Sequence, residues 1–367
     1  MEKIKLDIAV IGGGIAAITF AENYKKTNPD QTVGIFEKTS NNPYSKVLLP
    51  HYVKKIIPRE KVFIRTLAQF KEKDIKYYIN QEITLIDYIN KNFKCNDFEV
   101  SFEKLIIATG GEAKRILSTK TLYYLQTLED ADKLIEKLIN IPPNGSAVII
   151  GGGFIALEFF EIFHKANLNI TNILRSGYFF SPLAPKELTP IIINILKENS
   201  ITNIINGANI KINADITAIG AGITRSNNLF NITNEGIETN QFLESRYKDI
   251  YAIGDTAIVT KNNTKRVMGN WNNAIQQGIW LAKYLSNQTR TPYSFNQATN
   301  YTTNFFGNFI SFMGYTDQKF VINKIVVNKN NKFVDECYVN NKLVGVILVN
   351  HADLRESYQE KLNLNID

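Results

Sequence analysis

The chain has 367 residues, 44% hydrophobic and 21% charged, with 42 basic and 35 acidic side chains for a net charge of +7. This is ordinary globular composition with length for two or three cores, so disordered and fibrous classes are excluded. No apolar run reaches the roughly 18 residues of a spanning helix, and the two cysteines, Cys95 and Cys337, match no CxxC or CxxxxC spacing, so neither a disulfide framework nor a metal site is expected.

In chain order, Lys5–Ile11 reads as a buried parallel strand, Gly12-Gly13-Gly14 as a tight turn, and Ile15, Ile18, Phe20 and Tyr24 as a helical face. Strand, glycine turn and helix together cradle a pyrophosphate. Glycine lets the backbone come close, and the helix start offers unpaired N–H groups and the positive end of its dipole. Glu37 closes the next apolar run, Thr32–Phe36, where a carboxylate accepts ribose hydroxyls. A turn-rich loop, Thr39–Lys46, follows, and Pro50 within Val47–His51 argues against a regular central strand. Residues 75–78, 82–88 and 99–107 read as short strands ending at Ala108-Thr109-Gly110.

Leu128, Ala131, Leu134, Ile135 and Leu138 recur at helical spacing until Pro142-Pro143-Asn144-Gly145 stops them, and a new domain opens. It repeats the first pattern: strand 147–150, turn Gly151-Gly152-Gly153, helix 154–165 and strand 169–174. Two dinucleotides are expected on one chain. Strands over 210–219 and 248–253 follow, the latter ending in Gly254-Asp255, and then a helix over 269–284 with Trp271, Ala274, Ile275, Ile279 and Ala282. The tail changes character, with strands near 309–313, 320–327, 333–339 and 343–349 and a helix near 352–362, a small α+β unit.

The order of these motifs resembles the FAD-dependent pyridine nucleotide-disulfide oxidoreductase superfamily. The residues that carry the resemblance are Gly12-x-Gly14-x-x-Ala17 with Glu37, Leu105–Gly110, Gly151–Glu158 and Asp249–Asp255, which together span most of the chain. It implies an α/β fold with two Rossmann-like domains and a small C-terminal α+β domain. The implied boundaries are 1–113 with 243–295 for FAD, 114–242 for NAD(P)H, and 296–367 for the tail, the last also a possible homodimer face. The implied FAD residues are Gly12, Gly14, Ile15, Ala16, Ala17, Glu37, Lys38, Lys46, Ile83, Ala108, Thr109, Gly110, Gly254, Asp255 and Trp271. For NAD(P)H they are Gly151, Gly153, Phe154, Ile155, Glu158, Arg175 and Gly220.

Pro43–Leu49, Leu125–Ala131, Trp271–Ala274 and Tyr301–Gly307 resemble the rubredoxin and ferredoxin reductase or NADH oxidase branch. The family's thiol-dependent members place cysteine in a CxxxxC pair or just after the loop that here reads Thr39-Ser40-Asn41-Asn42, and no cysteine stands there. Without a thiolate beside the flavin a disulfide relay lacks its nucleophile. The resemblance places Glu158 near the nicotinamide and the flavin, and sets His51 where some relatives carry a lysine paired with that glutamate. A His51 to Glu158 contact is therefore one reading, and a surface loop histidine the other. Lys46 stands where relatives usually have arginine, suited to the FAD phosphates or flavin edge, with a solvated lysine as its plain alternative.

In NADH-preferring relatives a glutamate closes the strand after the second turn, but Leu174 stands here, followed by Arg175-Ser176. That leans to NADPH or dual use, with a simple surface cation as the other reading of Arg175. The sequence over 201–212 is shorter than the family pattern. The expected activity is an FAD-dependent NAD(P)H oxidoreductase serving a small acidic electron-transfer protein. Dioxygen as acceptor, or a redox sensor with little turnover, is the alternative. No membrane span, nucleic-acid partner or metal is expected, and the location expected is cytoplasmic.

Overall fold

Buried β-branched runs lie side by side as parallel strands in two sheets, one mixed and one all-parallel, each belonging to one of two compact units. The computed structural model describes residues 2–114, 122–207, 213–225, 236–261, 264–267, 269–293 and 300–364. The first unit is drawn from Met1–Ser45, Arg59–Glu112 and Thr224–Ala298, the second from Lys46–Pro58, Ala113–Ile223 and Thr299–Asp367.

In the first unit, strand Glu2–Ile11 lies between Val33–Phe36 and Phe98–Ile107, parallel to both, with Ile11 opposite Phe36 on one side and Ile107 on the other. Ile75–Tyr78 extends the sheet beyond Val33–Phe36. The long strand Phe98–Ile107 pairs antiparallel with Asn92–Lys94 through its first half and parallel with Ile250–Ala252 through its last residues. The sheet's parallel centre, Ile8–Ile11, Val33–Phe36, Leu105–Ile107 and Ile250–Ala252, is continuously buried, as strands covered on both faces require. Val10, Ile35, Phe20 and Leu281 fill one side, and Ala9, Phe93, Leu105 and Ile250 the other. Helices Ile15–Thr27 and Trp271–Leu285 pack together at Gly278, where a Cβ would stand 2.7 Å from the Ala16 carbonyl oxygen.

In the second unit the all-parallel order is Asn203–Asn206, Asn169–Leu174, Ser146–Ile150, Ile216–Ile219 and Leu122–Tyr123. Helix Phe154–Lys165 has the bounds its periodicity predicts. The opening of the strand expected over 210–219 lies outside the described residues, which show Ile216–Ile219; so does most of the end of the 201–212 stretch. The tail forms a five-stranded antiparallel sheet, in the order Asn300–Phe305, Asn308–Gly314, Lys342–Val349, Lys332–Val339, Ile322–Lys329, closed by helix Arg355–Leu364. Its first strand is an addition to the expected set. It turns back through Phe306 and Gly307, both at positive φ. Residues 46–53 are helical, a 3-10 turn at Lys46–Leu48 running into an α-turn at Leu49–Val53, with Pro50 in the first turn, where a missing N–H costs nothing.

Candidate functional site: two glycine turns and a buried ion triad

Gly12 has φ +97°, and a Cβ there would lie 2.5 Å from the Ala108 carbonyl oxygen, so only glycine fits between the two strand ends. Gly14 is the N-cap of the following helix without any side-chain cap, and the first turn carries no acidic residue. Helices 67–72, 128–139 and 271–285, by contrast, are capped by the side chains of Thr66, Thr127 and Asn270. The first-turn N–H groups at Ile15, Ala16 and Ala17 therefore lack intrahelical partners and suit a phosphate. Glu37 accepts the Gly13 N–H on Oε2 at 2.7 Å, and the N–H and Oγ1 of Thr39 on Oε1 at 2.9 and 3.0 Å. About one of a carboxylate's roughly four acceptor positions is left for a ribose hydroxyl.

The strand ends converge on this turn. Ala108 N–H donates to the Ile11 carbonyl at 2.8 Å, and Thr109 Oγ1 lies 3.4 Å from Thr256 Oγ1. Gly254, at φ +75°, sits where a Cβ would be 3.2 Å from that of Ala16, and its N–H donates to Gln277 at 2.6 Å. Asp255 follows, its carbonyl accepting from Arg225 Nε at 2.7 Å. Gly12, Gly14–Ala17, Glu37, Ala108–Gly110, Gly254 and Asp255 are thus brought together, and Trp271 opens the helix that packs beside them. Ile83 is in the apolar core with Phe36 and Phe93. Lys38 is exposed and pairs with Glu112 at 2.7 Å. The glycine cradle, uncapped helix start and carboxylate fit an adenine dinucleotide such as FAD.

The second turn repeats the geometry. Gly151, at φ +126°, has no room for a Cβ, which would lie 2.4 Å from the Gly220 carbonyl oxygen. Gly153 caps its helix without a side chain. Phe154 stacks on Tyr301 with centroids 5.0 Å apart and also packs against Phe180 and Phe312. Ile155, Arg175 and Ser176 are exposed. These residues fit a second dinucleotide, NADH or NADPH.

The partner of Glu158 is not His51. Lys54, one helical turn further on and 9% exposed, places Nζ 2.9 Å from Glu158 Oε2 and 2.6 Å from Glu161 Oε2. Glu158 and Glu161, three apart on one helix, share a face and receive the same ammonium. Glu161 Oε1 also accepts the Phe306 N–H at 2.9 Å, and Lys165 caps the Lys54 carbonyl. Desolvation alone would lower the Lys54 pKa, but the two carboxylates overcome it and raise it. His51 Nδ1 is buried without a hydrogen-bond partner, and Lys46 is exposed on the preceding turn. Lys54 was missed because a run reading Tyr-Val-Lys-Lys gives no sign of which lysine turns inward. The i, i+3 glutamates were the available signal for a buried cation.

Both cysteines are buried, and burial pushes both thiols up. Neither is an activated thiolate. No helix among the described residues is long and apolar enough to cross a membrane.

The pattern of the family described as Pyridine nucleotide-disulphide oxidoreductase matches residues 6–278. A monodehydroascorbate reductase, seedling isozyme, of Cucumis sativus is 27% identical over 293 residues, covering 68% of this chain and 67% of that protein. The fold is similar to that of putidaredoxin reductase in its covalent complex with putidaredoxin, with TM-score 0.88 and 18% identity over 99% of this chain and 96% of that one. NADH:rubredoxin oxidoreductase from Clostridium acetobutylicum is similar too, with TM-score 0.82 and 19% identity over 98% and 95%. With the family pattern running through both glycine turns, the chain belongs to the pyridine nucleotide-disulphide oxidoreductase family, enzymes that use FAD and NADH or NADPH.

Proposed function

We propose that this protein oxidises NAD(P)H through FAD and delivers the electrons to a small acidic redox protein of rubredoxin or ferredoxin type, with no sulfur intermediary. The observation that carries this reading is the pairing of two uncapped glycine turns with two cysteines that are both buried and both raised in pKa. When bound, FAD supplies the conversion of a hydride pair into single-electron steps. Gly12 and Gly14–Ala17 hold its pyrophosphate, Glu37 its ribose, and Ala108–Gly110 with Gly254-Asp255 line its remaining length. The second turn holds the nicotinamide coenzyme, Arg175 and Ser176 favour a 2′-phosphate, and Lys54 fixes the carboxylate of Glu158 in one orientation. We assign 1–113 with 243–295 to FAD, 114–242 to NAD(P)H and 296–367 to a third domain suited to homodimer contact. The net charge of +7 favours an acidic partner by steering, and a cytoplasmic setting suits two free cysteines.

The test is an anaerobic titration of the purified, yellow protein with NADH and with NADPH, then turnover with rubredoxin, ferredoxin or dioxygen. The expected result is bleaching by both coenzymes, NADPH the more effective, with turnover stimulated by the redox protein. A colourless protein, or one reduced by neither coenzyme, overturns the reading. Equal turnover on dioxygen alone replaces the acceptor, and slow reoxidation coupled to a change in size replaces turnover with sensing.

A further inference from the structure

The two turns are alike in backbone but hold the same peptide plane from opposite ends. In the first, Val10 pairs with Ile35 and Ile11 with Phe36, so Glu37 follows the last paired residue. In the second, Ile149 pairs with Asn172 and Ile150 with Ile173, which aligns Asn172 with Ile35 and Leu174 with Glu37. The alignment is also spatial. A Cβ on Gly13 would meet Glu37 Oε2 at 2.8 Å, and one on Gly152 would meet Leu174 Cδ2 at 2.6 Å.

The Gly12–Gly13 plane is held at its N–H, which donates to Glu37 at 2.7 Å. With leucine in place of that carboxylate, the Gly151–Gly152 plane is held at its other end. Asn172 Nδ2 donates to the Gly151 carbonyl at 2.9 Å and to the Ile149 carbonyl at 3.0 Å. A trans peptide sets its N–H opposite its C=O, so tying the Gly151 carbonyl to Asn172 turns the Gly152 N–H away from it. The next plane is treated alike, the Gly152 carbonyl accepting the Phe180 N–H at 2.8 Å.

Asn172 is fully buried, and its Oδ1 has no hydrogen-bond partner. Such an amide in a central parallel strand carries a desolvation penalty that an apolar residue avoids. The fold does not demand it, because the first unit uses the buried Ile35 at the same register.

We propose that Asn172 is a specificity-determining positioning residue. It presents the Gly152 N–H, next to the Leu174 strand end from which Arg175 and Ser176 continue, to an anionic oxygen of the ligand, the 2′-phosphate of NADPH, at the place where the first turn presents the matching N–H to a carboxylate. This rests on the reading that the second turn binds NAD(P)H.

The test is Asn172→Leu in the FAD-loaded protein, with Asn172→Val as a second apolar variant suited to a strand. Affinities for NADP+ and NAD+ are measured by calorimetry, together with FAD content and Tm. Loss of one oriented donor predicts a Kd for NADP+ roughly three- to tenfold weaker. The Kd for NAD+ stays within about twofold, FAD content is unchanged, and Tm shifts little, because removal of the unpaired Oδ1 offsets loss of the two hydrogen bonds made by Nδ2. KM for NADPH rises with the Kd while kcat is retained. Equal affinities in variant and parent, equal weakening of both coenzymes, or a fallen Tm with lost FAD in both variants overturns the assignment. A parent that binds neither coenzyme overturns the functional reading, and this role with it.

Discussion

Lys54 spends its charge on two carboxylates in a setting where an ammonium alone would cost several kcal/mol. Replacing it by methionine keeps the stem's packing but leaves Glu158 and Glu161 facing each other without a cation. Lys54→Met is therefore expected to lose about 3 kcal/mol, read as a lower urea midpoint at unchanged slope. Asp335 behaves in the opposite sense. It is fully buried, accepts from Asn323 on Oδ2, lies 3.8 Å from Cys337 Sγ, and leaves Oδ1 without a partner. Burial, assisted by Glu187 and Glu336, pushes its carboxyl from 3.8 up to about 6. The folded state then holds the proton more tightly than the unfolded chain. Stability from this group is complete below pH 3.8 and is lost as pH rises through about 6. Asp335→Asn removes the ionisation, so it should exceed the parent by on the order of 2 kcal/mol at pH 8 and lose that advantage below pH 4, as compared by denaturation at both pH values.

Among the elements, the helix pair 15–27 and 271–285 is the one on which the first turn depends. Gly278 lets the helices meet with its Cα against the Ala16 carbonyl and the Phe20 N–H, where a Cβ would stand at 2.7 and 3.0 Å. Alanine would gain up to about 1 kcal/mol of helix propensity, but the obstacle is backbone and cannot rotate away. Overpacking costs of about 1–3 kcal/mol win. Gly278→Ala is expected to lower Tm by several degrees and to reduce the FAD to protein ratio on purification, because the displaced helix carries Ala16 and Ala17. Retention of both values would show that the helices slide apart without disturbing the turn. Element bounds were readable where a local signal ends them. Gly153 starts and Ala166 closes the helix at 154–165, whereas the strand at 300–305 gives only a family likeness, since its turn depends on Phe306 at positive φ, a conformation sequence does not announce.

At the scale of the molecule, one polypeptide repeats a strand, turn and helix and then departs from the repeat residue by residue. Gly12 and Gly151 were legible because the pattern of apolar strand, glycine turn and helix is local in sequence, although the carbonyls that leave no alternative to glycine, those of Ala108 and Gly220, stand far along the chain. Glu37 was legible through its distance from the turn, and the buried strands through their short continuous apolar runs. The grouping of 46–58 and of the tail with 113–223 was not, because it depends on which surfaces pack across hundreds of residues. The sequence by itself determined the two dinucleotide turns, the sheet strands and the absence of a cysteine where a thiol relay needs one. Only the tertiary structure decided that Lys54 rather than His51 meets Glu158, and that Asn172 grips the second turn. A one-turn rotation of a short helix, or the register of one strand against the next, selects among chemically similar candidates, and both are outcomes of long-range packing.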